Sequence, residues 1–174
     1  ESVGGVRGDE FTYSDIVAER FGTDHHQIRI DTARMLPALD GAIGAMSEPM
    51  VSHDCVAFYL LSQEVAKHVK VVQSGQGADE VFAGYHWYPP MGEPAAATVA
   101  GSVTRYRAAF FDRDDTALRA LAADGTVGEG TDPSGDFVTA HFARAGAETG
   151  VDRALRLDTT VMLVDDPVKR VDNM

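Results

Sequence analysis

The sequence holds one cysteine, Cys55. That excludes an internal disulfide and a cysteine-based zinc cluster, and it points to a reducing, cytoplasmic setting. Basic residues are scarce: 15 Lys and Arg stand against 27 Asp and Glu, a formal net charge of -12. Such a field repels phosphate backbones and acidic lipid surfaces, which argues against nucleic-acid and membrane partners. A nucleotide is still admissible, because Mg²⁺ and backbone N–H groups can hold one inside an acidic protein. No apolar run approaches the ~20 residues a bilayer span needs. The opening Glu1-Ser2-Val3-Gly4-Gly5 carries no apolar core of a signal peptide. It also lacks a starting methionine, and the chain stops at Val171-Asp172-Asn173-Met174 straight after a helix-like stretch, so both ends read as cut. What is present is ordinary for a globular domain: 174 residues, 44% hydrophobic and 24% charged.

Along the chain, residues 1–10 read as a Gly-rich loop. Phe11 to Phe21 places Phe11, Ile16, Val17 and Phe21 at helical spacing, and Gly22 ends the helix. His26 to Ile30 alternates and predicts a short strand; Asp31 or Thr32 then caps a helix to about Met46. The clearest helix starts at Asp54 and runs to about His68, with Val56, Leu60, Leu61 and Val65 on one side. The β-branched run Val69-Lys70-Val71-Val72-Gln73 predicts a second strand. Beyond Pro89-Pro90 the composition turns to Ala, Gly and Asp, with helices expected near 95–110, 114–123 and 135–145 and a turn at Asp132-Pro133-Ser134-Gly135. A stronger amphipathic helix follows from Val151 to Val164, interrupted at Asp165-Asp166-Pro167. Helices alternating with short buried strands predict an α/β fold, a parallel sheet with flanking helices. The expected organisation is one partial domain over 1–174, with an α/β part at 1–90 and a mainly helical part at 91–174.

The chemistry-bearing stretch is Val71-Val72-Gln73-Ser74-Gly75-Gln76-Gly77-Ala78-Asp79-Glu80. In open parallel sheets, ligands sit beyond the carboxyl ends of strands. Gly75 and Gly77 let the main chain approach a ligand closely. Asp79 and Glu80 fall in the first turn of the following helix, and one carboxylate beside phosphates best serves as a Mg²⁺ ligand. The plainer reading is a strand-to-helix turn with glycine for geometry and acids for the helix dipole. It is neither a Walker A loop, lacking Lys-Ser/Thr, nor a dinucleotide fingerprint, lacking the third glycine.

The stretch Ser74-Gly75-Gln76-Gly77-Ala78-Asp79-Glu80-Val81-Phe82-Ala83-Gly84-Tyr85 resembles the Ser-Gly-x-Gly-Ala/Ser-Asp-Glu-x-Phe-Gly-Gly-Tyr signature of asparagine synthetases. Ser47-Glu48-Pro49 resembles the family's Glu-Pro element, and Tyr59-Leu60-Leu61-Ser62 the helix after it. Asp158, with Leu163 through Met174, resembles the helix leading into the family's Asp-Arg-x-Ser-Met-Ala segment. Residues 91–150 match least. Val51-Ser52-His53-Asp54-Cys55 and Tyr85-His86-Trp87-Tyr88-Pro89-Pro90 further resemble the branch that amidates an N-acetylglutaminylglutamine dipeptide.

The resemblance implies an adenine-nucleotide alpha-hydrolase-like fold of the PP-loop ATP pyrophosphatase kind, here truncated. It implies an ATP-dependent ligase: a substrate carboxylate, of aspartate or a glutamine-containing dipeptide, is adenylated with release of pyrophosphate. Ammonia from a glutaminase domain of the same chain then displaces AMP. Ser74, Gly75 and Gly77 would bind ATP and Asp79 would bind Mg²⁺. Gln76 and Glu80 are the candidate catalytic residues. Gln76 stands where relatives carry glutamate or tyrosine, and glutamine is no base at neutral pH, so its role would be orientation; Glu80 would act from behind or on the helix dipole. The family's Ser-Gly-Gly-x-Asp-Ser loop and its glutaminase cysteine do not occur in this sequence, so the chain by itself is expected to be inactive. Two alternatives stand beside this reading: a sibling that closes a β-lactam ring by the same adenylation, and a non-catalytic nucleotide-binding module. An exposed sheet edge would favour a homodimer.

Other residues invite plainer readings. His25-His26 point to opposite sides of an extended segment and would not ligate one metal. Tyr85-His86-Trp87-Tyr88 reads first as packing beneath the loop. Asp112-Arg113-Asp114-Asp115 reads as a solvated helix start. Asp165-Asp166 and His53-Asp54 are the remaining candidates for approach to the site.

Overall fold

A computed structural model describes residues 11–48, 52–122 and 130–174. Helix α1 spans Phe11–Phe21 and ends where Gly22 takes a left-handed φ of 62°. The Asp31 carboxylate accepts from the Ala33 N–H and opens a 3₁₀ turn, Thr32–Arg34, that leads into α2, Met35–Ala45. Helix α3, Asp54–Val65, packs along α2. Ala42, Val56 and Leu60 form the buried centre of this pair, flanked by Ile30, Leu39, Tyr59 and Met174. A Cβ on Gly41 would stand 2.7 Å from the Tyr59 hydroxyl, so the missing side chain is what lets the two helices close.

The second and larger core is built by α5 (Tyr88–Met91), α6 (Val99–Phe110), α8 (Pro133–Phe142) and α9 (Gly150–Leu157). Tyr88, Met91, Tyr106, Val138, Phe142, Ala154 and Leu157 are buried together there. Helix α4 is the short Ala78–Phe82, and α7 spans Asp115–Leu121. Thr149 and Asp152 cap α9 reciprocally, each side chain taking the other's backbone N–H. Arg153 ties α9 to the preceding layer, donating to the Ala97 carbonyl at 3.1 Å and the Ser102 hydroxyl at 3.0 Å.

The expected parallel sheet, and with it the truncated PP-loop α/β fold, is overturned: among the described residues there is no strand, only helices and irregular segments. The segments predicted as strands, His26–Ile30 and Val69–Gln73, run as irregular chain. The alternation of Ile28 and Ile30 does leave both half-buried, and Ile30 packs against the α2–α3 core. A strand, however, exists only by exchanging N–H···O bonds with a neighbour, and neither segment has one. Val71 accordingly stays 83% exposed.

Two further expectations change. Asp132-Pro133-Ser134-Gly135 is no free turn but the start of α8: Asp132 accepts from the Gly135 N–H, and Pro133 occupies the first turn, where no N–H is needed. Asp165-Asp166-Pro167 does not break the final helix. From Asp158 the chain continues in a wider, π-helical winding through Met162 and again over Val164–Val168, then closes as α10, Lys169–Asn173. Pro167 lacks an N–H to give, and the looser winding accommodates it inside the helix.

Candidate functional site

The signature turn begins with Ser74, whose hydroxyl accepts from the Gln76 N–H at 3.1 Å. The Gly75 carbonyl accepts from the Ala78 N–H at 3.3 Å. Gly77 takes φ 97°, which turns the chain into α4 and which a side-chain-bearing residue would adopt only with strain. Ser74, Gly75 and Gln76 are exposed and Gly77 half-buried. A Cβ on Gly75 would meet nothing, whereas one on Gly77 would touch the Leu163 methyls at 3.4 Å. The turn therefore rests on Leu163, between the two π-helical stretches of the final helix, with its outer side open.

Asp79 and Glu80, adjacent in sequence, part company. The Asp79 side chain is exposed and has no ion-pair partner among the described residues. Glu80 is 1% exposed; its Oε1 accepts from the Tyr85 hydroxyl at 2.7 Å, and its Oε2 has no partner among the described residues. Helix α4 ends in a Schellman arrangement: Ala83 is left-handed at φ 58°, and the Gly84 N–H donates to the Asp79 carbonyl at 3.0 Å. Ala83 stands where the resembled signature has the first glycine of its Gly-Gly pair, so here an alanine carries the strained conformation.

Beneath the turn, the aromatic run packs as expected. Tyr85 stacks on Trp87 with ring centres 4.1 Å apart, and Trp87 meets Phe110 edge-on. The Trp87 indole donates at 3.0 Å to Asp158, which also accepts from the Tyr106 hydroxyl. Asp158 is fully buried, and that burial raises its pKa, against the pull of the donors Tyr106 and Trp87 and of the nearby Tyr88 hydroxyl. The Tyr88 hydroxyl lies in the field of Asp158 and Glu80, yet its geometry completes no hydrogen bond. Burial, then the adjoining carboxylates, lifts the phenols of Tyr85, Tyr88 and Tyr106 well above the ordinary tyrosine range. These phenols keep their protons near neutrality, and the aromatic cluster they belong to is a mount for α4.

The structure also gathers the more distant candidates. Arg170 reaches the Asp54 carboxylate at 2.7 Å and Asp166 at 3.3 Å, with its guanidinium over the Phe58 ring. Lys169 pairs with Glu48 at 2.9 Å, and the Ser47 N–H donates to the Asn173 side chain at 3.2 Å. The Glu-Pro element and the start of α3 are thus fastened to the last turns of the chain; Pro49 and Val51 lie outside the described residues. Asp54 is engaged, His53 is exposed, and Asp165 comes no nearer than 4.0 Å to Lys169. No sequence signal pointed to Arg170 as the junction of these pieces, because Ser52 and Asp54 lie more than a hundred positions upstream.

Several candidates stay apart from this site. His25 pairs with Asp15, and His26 pairs with Asp24 and stacks on His68. Asp114 caps α7 and Asp115 turns to Arg107, as a solvated helix start would. Cys55 is buried in α3. A cavity of ≈ 880 Å³ opens between Trp87, Phe110, Phe111, Phe137 and Val161, but no residue from Ser74 to Glu80 lines it. It is an apolar recess behind the aromatic mount. Among the described residues no three His, Cys, Asp or Glu side chains cluster to hold a metal by themselves. No described helix is long and apolar enough to cross a membrane.

Comparison with known proteins agrees with the signature. A protein of Mycobacterium tuberculosis, whose name assigns it provisionally as a glutamine-hydrolyzing asparagine synthetase, is 33% identical over 87 residues, 48% of this chain and 13% of that one. A similarly named protein of Methanocaldococcus jannaschii is 35% identical over 77 residues, 44% of this chain and 15% of the relative. Asparagine synthetase (glutamine-hydrolyzing) 3 of Bacillus subtilis is 29% identical over 80 residues, 46% and 13% of the two chains. The matches cover only a small part of these relatives' length. No solved structure matches. The family model described as Asparagine synthase matches residues 2–174, and the chain belongs to that family.

Proposed function

We propose that this chain is part of the synthetase domain of a glutamine-dependent amidotransferase, one that adenylates a substrate carboxylate with ATP and amidates it with glutamine-derived ammonia. The observation that carries the reading is the divergence of Asp79 and Glu80: one carboxylate faces outward beside an open glycine turn, while its neighbour is locked into the aromatic mount. An exposed, unpaired carboxylate suits Mg²⁺, which is commonly held by one or two carboxylates, several waters and the phosphates themselves. The absence of a Cβ at Gly84 leaves the seat that this carboxylate occupies, so the residues present fit such an ion.

Each residue then has a part. Ser74 and Gly75 bind the AMP portion of ATP, with the main chain of the turn close to the ligand because Gly75 and Gly77 carry no side chain. Asp79 holds Mg²⁺. Gln76, exposed at the tip, orients the acyl group through its amide, which donates and accepts but takes no proton. Glu80 fixes the pitch of α4 through Tyr85 and keeps Asp79 on the outer side. When bound, Mg-ATP supplies the phosphorus electrophile that converts an inert carboxylate into an acyl adenylate with AMP as leaving group.

The test uses the full-length protein with glutamine, ATP and candidate acceptors, aspartate and a glutaminyl dipeptide among them. AMP and pyrophosphate should appear in step with glutamate, and Asp79→Asn should abolish their release. Release of ADP and phosphate instead would overturn the adenylation reading.

A further inference from the structure

We infer that Gly84 is a positioning residue: its bare Cα is the seat on which the Asp79 carboxylate lies, so that the last glycine of the signature sets where that carboxylate points. The inference rests on the reading of Asp79 as the metal ligand and adds to it a residue that touches neither metal nor nucleotide.

The geometry comes from the end of α4. In a Schellman motif the N–H of the second residue past the cap bonds back to the carbonyl of the third-last helical residue. Here those two residues are Gly84 and Asp79, joined at 3.0 Å. The bond draws the Cα of Gly84 under the side chain of Asp79. A hydrophobic contact normally fills this place. In this chain the carboxylate fills it: a Cβ built on Gly84 would stand 2.0 Å from Asp79 Oδ1 and 3.0 Å from its Cγ. No Cβ tolerates such a distance, so any side chain at 84 evicts the carboxylate from its rotamer. The conflict is not with backbone conformation, since Gly84 does not share the left-handed φ of Ala83. The contact with the Asp79 Cα, at 3.2 Å, is tight but tolerable. Substitution therefore acts on the side-chain direction of Asp79, and a carboxylate turned by one rotamer no longer meets an ion fixed by phosphates. Changes to residues that orient a metal ligand typically weaken metal affinity by about 10–100-fold.

Two measurements on the full-length protein decide this. The first is Mn²⁺ binding, read by electron paramagnetic resonance with α,β-methylene-ATP present, which requires no turnover. Gly84→Ala should weaken Mn²⁺ affinity by about 10–100-fold, and Asp79→Asn should remove the site. The second is a thermal-stability cycle. Gly84→Ala should lower the melting temperature when Asp79 is present and change it little in an Asp79→Ala background, where the obstructing carboxylate is gone. Unchanged Mn²⁺ affinity in Gly84→Ala, or an equal loss of stability in both backgrounds, would overturn the inference. If instead Asp79→Asn keeps full Mn²⁺ affinity, the metal assignment itself fails, while the stability cycle still reports whether the carboxylate sits on Gly84.

Discussion

Ala83 and Asp158 carry the sharpest residue-scale consequences. Ala83 holds a left-handed conformation that costs an L-residue about 1–2 kcal/mol, partly recovered because alanine loses less freedom on folding than glycine. Ala83→Gly should therefore stabilise the protein by about 0.5–1 kcal/mol, visible as a higher denaturant midpoint with an unchanged slope. A lower midpoint would mean that the φ of this position differs from 58°. Asp158 behaves oppositely to most carboxylates. Burial raises its folded-state pKa above the unfolded value, so between those two values the folded chain binds more protons than the unfolded one. Its contribution to stability is thus largest at acidic pH and is lost as pH rises through the folded-state value. The Asp158→Asn variant removes this titration, though the amide oxygen that replaces the carboxylate leaves only one acceptor for Trp87 and Tyr106, where the parent offers one to each. The stability advantage of the parent over Asp158→Asn should therefore shrink as pH rises from about 4 toward neutrality, near the ordinary carboxylate range upward. Melting curves of the two proteins at stepped pH check this; a difference that widens with pH would contradict the upward shift that burial imposes on Asp158.

Helix α9 shows what an element contributes beyond its own residues. Its first residue, Gly150, faces the Met91 carbonyl so closely that a Cβ would stand 2.4 Å from the oxygen. Because the obstacle is backbone, it cannot swing aside, and Gly150→Ala should separate α5 from α9 at a cost of about 1–3 kcal/mol. The neighbouring change Thr149→Ala removes only the capping box and should cost about 1 kcal/mol. Urea titrations of both variants test the order: a Thr149→Ala loss exceeding that of Gly150→Ala would place the tightest contact elsewhere. Much at this scale was legible in the sequence. Phe11 to Phe21, Asp31 as a cap, Asp54 as a helix start and the helices beyond Pro90 followed from apolar spacing and capping chemistry, which are local properties. The continuous final helix was not legible, because Pro167 normally ends a helix and only the wider winding seen from Asp158 onward carries the chain past it.

At the scale of the whole molecule, the sheet is where sequence and structure part. Val69–Gln73 has the composition of a strand, but β structure is a property of pairs, and no segment among the described residues pairs with it. Its valines stay exposed together with Phe82, which is 82% exposed at the end of α4. The candidate site divides in the same way. The open turn and outward Asp79 were legible from glycine spacing and acid placement, whereas the inward turn of Glu80 and the seat at Gly84 depend on the Schellman close of α4, which Ala83 disguises. Charge limits what this chain does alone. On the proposed reading it would offer a nucleotide one carboxylate and a glycine turn, in a molecule with a formal charge of -12. A single exposed carboxylate recovers little of the free energy needed to immobilise Mg-ATP, whose phosphates this overall charge repels. Calorimetry of the 174-residue chain with Mg-ATP should find a Kd weaker than ~1 mM, corresponding to less than about 4 kcal/mol. Raising the salt should change this little, since screening weakens the long-range repulsion and any attraction to the metal alike. Submicromolar binding would show that Ser74 to Gly77 grip the nucleotide through contacts of their own, and the division of labour between this turn and the pyrophosphate loop of the resembled family would have to be redrawn.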